Sequence, residues 1–255
     1  MDIETKKGEI IIKKIIPCLD MKDGMVVKGV NFVGIKEVGD PVAFAKKYCG
    51  DGADELTMLD ITATVEGRKT KLEMISRVKE VINIPLAVGG GIRNITDIED
   101  VINAGASKVG INTAAVKEKN IIKEAAVKFG GEKILLAVDT KRQDNGKYNV
   151  YINGGRDDTG IDLIDWVKEA ENLGAGELLP TSIDTDGVKD GYDIELYNLI
   201  CDAVKIPVTA SGGCGKLEDF AEIFKKTNVS AALAASVFHF GTFTVKQVKE
   251  YLGWI

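Results

Sequence analysis

The chain has a single histidine, His239, among 255 residues. A Ser-His-Asp or Cys-His nucleophilic site has no other histidine to use, and zinc sites built on several histidines are excluded. Cysteine is also sparse: Cys18, Cys49, Cys201 and Cys214, with no CxxC pair. Cys18 and Cys201 sit in apolar surroundings, which reads as buried, reduced thiols rather than a disulfide framework. No run of about 20 apolar residues is present, so no membrane span is expected. Residues 1–9 are polar and lack the apolar centre of a signal peptide. A soluble, cytoplasmic protein is the expectation. Positive charge is not in excess either: 33 Lys and Arg stand against 39 Asp and Glu, a net charge of -6. That disfavours a nucleic-acid partner, while local backbone groups remain able to bind small anions.

Glycine, by contrast, is abundant, at 28 residues, which calls for many tight turns or close backbone approaches. Short apolar runs recur at 10–19 (broken by Lys13 and Lys14), 55–59, 84–88, 108–111, 134–138, 177–179, 206–210 and 230–234. Near-continuous apolar runs of this length suit parallel strands covered on both faces. Helical periodicity fills the gaps, at 41–49, 69–82, 96–102, 118–129, 163–173, 194–204, 216–224 and 244–252. Asp40 followed by Pro41 is a helix start, and Leu72, Ile75, Val78 and Ile82 share one helical face. Eight alternations of strand and helix predict an α/β fold, a (β/α)8 TIM barrel, with a doubly wound open sheet as the alternative. No linker divides the chain, so residues 1–255 are expected to form one domain, with 1–9 as a polar N-terminal extension.

The chain also repeats itself. At an offset of 122, Gly52-Ala53-Asp54-Glu55-Leu56 falls on Gly174-Ala175-Gly176-Glu177-Leu178, Ile84-Pro85 on Ile206-Pro207, and Gly90-Gly91 on Gly212-Gly213. At 119, Asp20-Met21-Lys22 falls on Asp139-Thr140-Lys141. The barrel therefore reads as two duplicated half-barrels of four βα units related by a pseudo-twofold axis.

Strand C-terminal ends face the active site of such a barrel. Asp20 ends the first predicted strand and Asp139 the fifth, so the pseudo-twofold sets two carboxylates across one mouth. Such a pair suits general acid and base roles, in either order. Gly89-Gly90-Gly91 follows the third strand and Ser211-Gly212-Gly213 the seventh. Residues without Cβ let N–H groups close on phosphate oxygens. Asn112-Thr113-Ala114 and Ala234-Ala235-Ser236, after strands four and eight, complete each cradle, with Thr113 and Ser236 adding hydroxyls. Two cradles at opposite rims imply a ligand with a phosphate at each end. Further mouth residues are Asp60, Thr62 and Thr64, with Ser182, Asp184 and Asp186 as counterparts. Lys28 lies in the long loop after the first strand, where it could fold over an anionic substrate. His239, in Phe238-His239-Phe240, reads as structural. At the opposite face, Lys14, Glu55, Lys108 and Glu177 stand at strand starts; pointing inward, they would form a mixed ring at the barrel floor.

Together these residues resemble a known family. Cys18-Leu19-Asp20-x-Lys22-Asp23-Gly24-x-Val26-Val27-Lys28-Gly29, Leu59-Asp60-Ile61-Thr62-Ala63, Val88-Gly89-Gly90-Gly91-Ile92 and Ile111-Asn112-Thr113-Ala114-Ala115 are similar to motifs of the cyclase subunit of imidazole glycerol phosphate synthase. So are Thr181-Ser182-Ile183-Asp184-x-Asp186-Gly187, Ala210-Ser211-Gly212-Gly213 and Ala234-Ala235-Ser236-Val237-Phe238-His239-Phe240. The match runs from about Lys13 to Leu252. The resemblance implies a lyase of histidine biosynthesis. It uses ammonia to convert a bisphosphorylated phosphoribulosyl aminoimidazole carboxamide ribonucleotide into imidazole glycerol phosphate and an aminoimidazole carboxamide ribotide.

It also implies roles: Asp20 and Asp139 catalytic; Lys28, Gly90, Gly91, Asn112, Thr113, Thr181, Asp186, Ser211, Gly212, Gly213, Ala235 and Ser236 on the substrate and its phosphates; no metal and no cofactor. A separate glutaminase subunit would dock at the N-terminal face of the barrel as a heterodimer partner. Its ammonia would pass a gate formed by Lys14, Glu55, Lys108 and Glu177. The sequence departs from the family at Lys14, where Arg is common and whose ammonium lacks the bidentate fork. It departs also at Ser107 (often acidic), Pro180 inside the sixth strand and Thr185 (commonly Arg). Two alternatives stand beside the cyclase: the phosphoribosyl-formimino aminoimidazole carboxamide ribonucleotide isomerase of the same pathway, and a non-catalytic phosphate-binding barrel subunit.

Overall fold

Each of the eight apolar runs supplies a strand in the computed structural model, which describes residues 2–4, 10–30, 33–67 and 70–255. The strands are β1 (Lys14–Lys22), β2 (Leu56–Asp60), β3 (Leu86–Gly89), β4 (Lys108–Ile111), β5 (Ile134–Arg142), β6 (Glu177–Ser182), β7 (Thr209–Ala210) and β8 (Ala231–Ala234). Parallel pairing runs in chain order from β1 to β6, from β7 to β8, and from β8 back to β1 with Ala231 opposite Lys14. Only isolated bridges join β6 to β7, Leu178 to Val208 and Thr181 to Ser211. Pro180 sits in β6 and has no N–H to give. Tyr197 reinforces that junction. Its hydroxyl lies 2.9 Å from the Pro180 carbonyl and 2.6 Å from that of Ser211, and it accepts the Ser211 N–H at 2.8 Å. The fold is the expected (β/α)8 barrel.

The apolar runs divide between two layers. Ile16, Cys18, Ala87, Leu135, Leu179, Ala231 and Leu233 pack inside the barrel. Their neighbours Ile15, Leu19, Val88 and Leu136 join the larger core between sheet and helices. This is the side-chain alternation of a strand buried on both faces. The outer layer is α1 (Pro41–Gly50), α2 (Leu72–Val81), α3 (Ile95–Asn103), α4 (Asn120–Phe129), α5 (Leu163–Leu173), α6 (Ile194–Ala203), α7 (Leu217–Lys226) and α8 (Val245–Tyr251). Asp40 caps α1 through the Ala43 N–H at 2.8 Å, as its position before Pro41 suggests. On α2, Ile75 and Val78 are buried, but Leu72 is exposed at the first turn.

The structure differs from the sequence reading elsewhere as well. The run at 10–19 is two elements: Ile10–Ile12 pairs antiparallel with Asp2–Glu4, and β1 begins at Lys14. The segment after β1, read as a long loop, is an antiparallel hairpin, and so is the segment after β5. Met25–Val30 pairs with Val33–Gly39, and Tyr148–Ile152 with Asp157–Asp162. Finally, Cys201 is half-buried rather than buried. No disulfide joins the four cysteines among the described residues. Among the described residues no helix is long and apolar enough to cross a membrane.

Candidate active site

One cavity opens at the C-terminal ends of the barrel strands, with about 1280 Å³ of free space including its mouth. Asp20 and Asp139 both line it, on β1 and β5, four strands apart. Gly90, Gly91, Asn112, Thr113, Thr181, Asp186, Ser211, Gly212, Gly213, Ala235 and Ser236 line the same space. Lys28 belongs to the first hairpin; its side chain lies outside the described residues. Asp20 and Asp139 do not terminate their strands, because β1 and β5 each run further into a hairpin.

The two carboxylates have different company. Cys18 Sγ stands 3.4 Å from Asp20 Oδ1. Asp139 accepts from Asn112 Nδ2 at 3.1 Å. Asp139 keeps a face on the cavity but is otherwise enclosed by protein. Desolvation pushes its pKa up to about 6, and the charge of Asp186 adds to the rise; the donors Asn112 and the Gly155 backbone oppose it. Asn112 Oδ1 is buried with no donor among the described residues.

The glycine cradles are alike in both halves. Gly90 (φ +94°) and Gly212 (φ +92°) occupy the left-handed region, as do Gly91 (φ +73°) and Gly213 (φ +104°). A Cβ on Gly90 would lie 2.2 Å from the Asp60 carbonyl oxygen, and one on Gly212 3.0 Å from that of Ser182. Asp60 and Ser182 are themselves repeat partners. The Gly91 N–H donates to Thr64 Oγ1 at 3.2 Å, and Thr185 Oγ1 donates to the Gly212 carbonyl at 3.3 Å. Short helical turns begin at Thr113 and Ser236, straight after β4 and β8.

Several cavity residues escaped the sequence reading. Gly154 lines the cavity from the tip of the second hairpin. Next to it the Asn153 N–H donates to Thr113 Oγ1 at 3.0 Å. Three successive left-handed residues, Asn153, Gly154 and Gly155 (φ +54°, +69° and +74°), build that tip. The adjacent glycines were the available signal. Cys18 and Cys214 also line the cavity. His239 does not. Its Nδ1 lies 2.7 Å from the Tyr48 hydroxyl, with Phe44 edge-on at 5.2 Å.

At the floor, Lys14 meets Glu55 at 3.3 Å, and Lys108 meets Glu55 at 2.8 Å and Glu177 at 2.5 Å. The four strand-start charges do point inward and do touch. Burial works against the Lys108 ammonium, but Glu177 and Glu55 outweigh it and hold its pKa above the usual lysine value. Ser107 is engaged nearby, where its Oγ accepts the Leu86 N–H at 3.2 Å.

Fold and site define a class: duplicated (β/α)8 barrels with two strand-borne carboxylates and a glycine cradle in each half. A family model described as histidine biosynthesis protein matches residues 14–244. The chain is 54% identical over 244 residues to imidazole glycerol phosphate synthase subunit HisF of Clostridium botulinum (strain Okra / Type B1), covering 95% of this chain and 96% of that one. To the same subunit of C. botulinum (strain Alaska E43 / Type E3) it is 56% identical over 241 residues, 94% and 95% of the two chains. To that of Lactococcus lactis subsp. cremoris (strain SK11) it is 52% identical over 244 residues, 95% and 94%. The chain belongs to the histidine biosynthesis protein family, within the HisF subunits of imidazole glycerol phosphate synthase.

Proposed function

We propose that this chain is the ring-closing subunit of imidazole glycerol phosphate synthase. It joins ammonia to a bisphosphorylated phosphoribulosyl aminoimidazole carboxamide ribonucleotide and releases imidazole glycerol phosphate and an aminoimidazole carboxamide ribotide. The observation that supports this most is the pairing of two carboxylates in unlike environments within one cavity flanked by two equivalent glycine cradles. A ligand with a phosphate at each end fits that layout. The Gly90-Gly91 and Gly212-Gly213 backbones, with Thr113, Ser211 and Ser236 hydroxyls, would take the phosphate oxygens. Thr181, Asp186 and Ala235 would line the path between them, with Lys28 above.

The carboxylates divide the proton work. Ammonia adding to the ribulosyl carbonyl must lose protons, and the oxygen and nitrogen leaving groups must gain them. Asp139, whose burial favours the neutral carboxyl, serves as general acid, and Asp20 as general base. Asn112 orients Asp139 through its amide.

Ammonia would reach the cavity from a glutaminase subunit docked at the floor, past Lys14, Glu55, Lys108 and Glu177. Residues 1–255 act as one domain, with 1–9 as an extension preceding the family match. Four cysteines with no disulfide between them fit a reducing, cytoplasmic setting. The test is turnover of the bisphosphorylated substrate, with ammonium salt at alkaline pH and with glutamine instead. Turnover by the chain alone with ammonium, but with glutamine only after a glutaminase subunit is added, is the expected result. No turnover under any of these conditions, with tight substrate binding, would return the chain to the isomerase or binding-subunit reading.

A further inference from the structure

Glu177 divides its carboxylate between two elements. One oxygen accepts from Lys108 Nζ on β4 at 2.5 Å, and the other from Thr209 Oγ1 on β7 at 2.8 Å. Thr209 is 2% exposed and Glu177 8%. Lys108 directs its ammonium at both oxygens of Glu55, at 2.9 and 2.8 Å, as well as at Glu177. Lys14 enters through Glu55 alone, and its side chain is 39% exposed. The four charges therefore form an open chain, Lys14–Glu55–Lys108–Glu177, rather than a symmetric ring. A neutral hydroxyl ends it.

That ending decides how the chain can part. A valine would fill the Thr209 position on a buried strand equally well, so the hydroxyl needs a reason, and its partner is Glu177. If Lys108 releases Glu177, Lys108 keeps Glu55 and Glu177 keeps Thr209. No buried ion is left without a hydrogen-bond partner, the circumstance that makes breaking a buried pair so unfavourable. We infer that Thr209 is a positioning residue of the floor gate: its hydroxyl pins Glu177 to β7, so that Lys108 is the member that swings aside when ammonia passes. This rests on the reading of the floor as an ammonia passage.

Without the hydroxyl, Glu177 has Lys108 as its remaining strong donor and grips it harder. Thr209→Val and Thr209→Ser, made in the full chain, test this. With a glutaminase subunit bound, glutamine-driven turnover of Thr209→Val should fall about tenfold, the equivalent of one hydrogen bond of about 1.4 kcal/mol. Ammonium-driven turnover should stay within about twofold, and Thr209→Ser should restore the glutamine-driven rate. A second readout needs neither partner nor substrate. In the chain labelled with 13C at lysine Cε, the Lys108 titration should move to higher pH in Thr209→Val and stay in place in Thr209→Ser. An equal loss of both activities would make Thr209 merely structural and overturn the proposal, as would an unmoved Lys108 titration. If the unaltered chain takes no ammonia from any glutaminase subunit, the passage reading fails, and the gate role of Thr209 falls with it. An unmoved Lys108 titration beside intact glutamine use would sink the Thr209 role alone.

Discussion

Asp20 and Asp139 are repeat partners that have diverged in their surroundings, with the Cys18 thiol beside the first and the Asn112 amide beside the second. Because the folded pKa of Asp139 is raised from 3.8 to about 6, the stability of its neutral form is complete below the unfolded value. It is lost as pH rises through about 6. By pH 7 this amounts to at most about 3 kcal/mol. Asp139→Asn has no such loss, so its stability relative to the unaltered chain should improve between pH 4.5 and 7.5 in urea unfolding; a constant difference would contradict the assignment. The same variant should lower ammonium-driven turnover about 10²- to 10⁴-fold, the usual contribution of a general acid, while substrate still binds. Asp20 and Asp139 were legible because the repeat brings both to one end of the barrel. The Thr209 to Glu177 bond was not, since it depends on the register of β7 against β6. Nor was the Asn112 contact to Asp139, which joins neighbouring strands.

At the scale of elements, the strands announced themselves because a strand buried on both faces must be apolar throughout. The hairpins after β1 and β5 did not, though the tight turns leading from each strand into its hairpin were written in the chain. Asp23-Gly24, with φ of +53° and +90°, and Gly146, with φ +81° after Asn145, are strong short-range hairpin signals. The flanking strands lack a regular apolar alternation, and this hid them. The glycine cradles offer a graded test. Ala at Gly90 combines a left-handed backbone with a 2.2 Å approach to a carbonyl oxygen, whereas at Gly212 the approach is 3.0 Å. Gly212→Ala should cost about 1–2 kcal/mol from conformation alone. Gly90→Ala should cost more, and thermal unfolding of the two variants side by side would show it. Equal effects would mean that the Asp60 carbonyl yields easily.

For the whole molecule, a ligand bridging the cradles should stabilise the barrel by linkage, about 2.7 kcal/mol at 100 times its dissociation constant. A sugar bisphosphate should therefore raise the melting temperature well beyond a monophosphate at equal concentration, and Gly212→Ala should erase the difference. Equal shifts would leave one cradle without a phosphate role. The closed sheet is also not uniformly sewn. Seven of its eight junctions are ladders, but β6 meets β7 through isolated bridges beside Pro180, with the Tyr197 hydroxyl as a stitch. Native-state hydrogen exchange should find its fastest barrel amides along 177–182 and 208–211, and Tyr197→Phe should quicken them further while β8 and β1 stay protected. Glu177 and Thr209 face each other across this slack seam. The wall expected to open first is therefore the one that anchors Glu177 at the barrel floor.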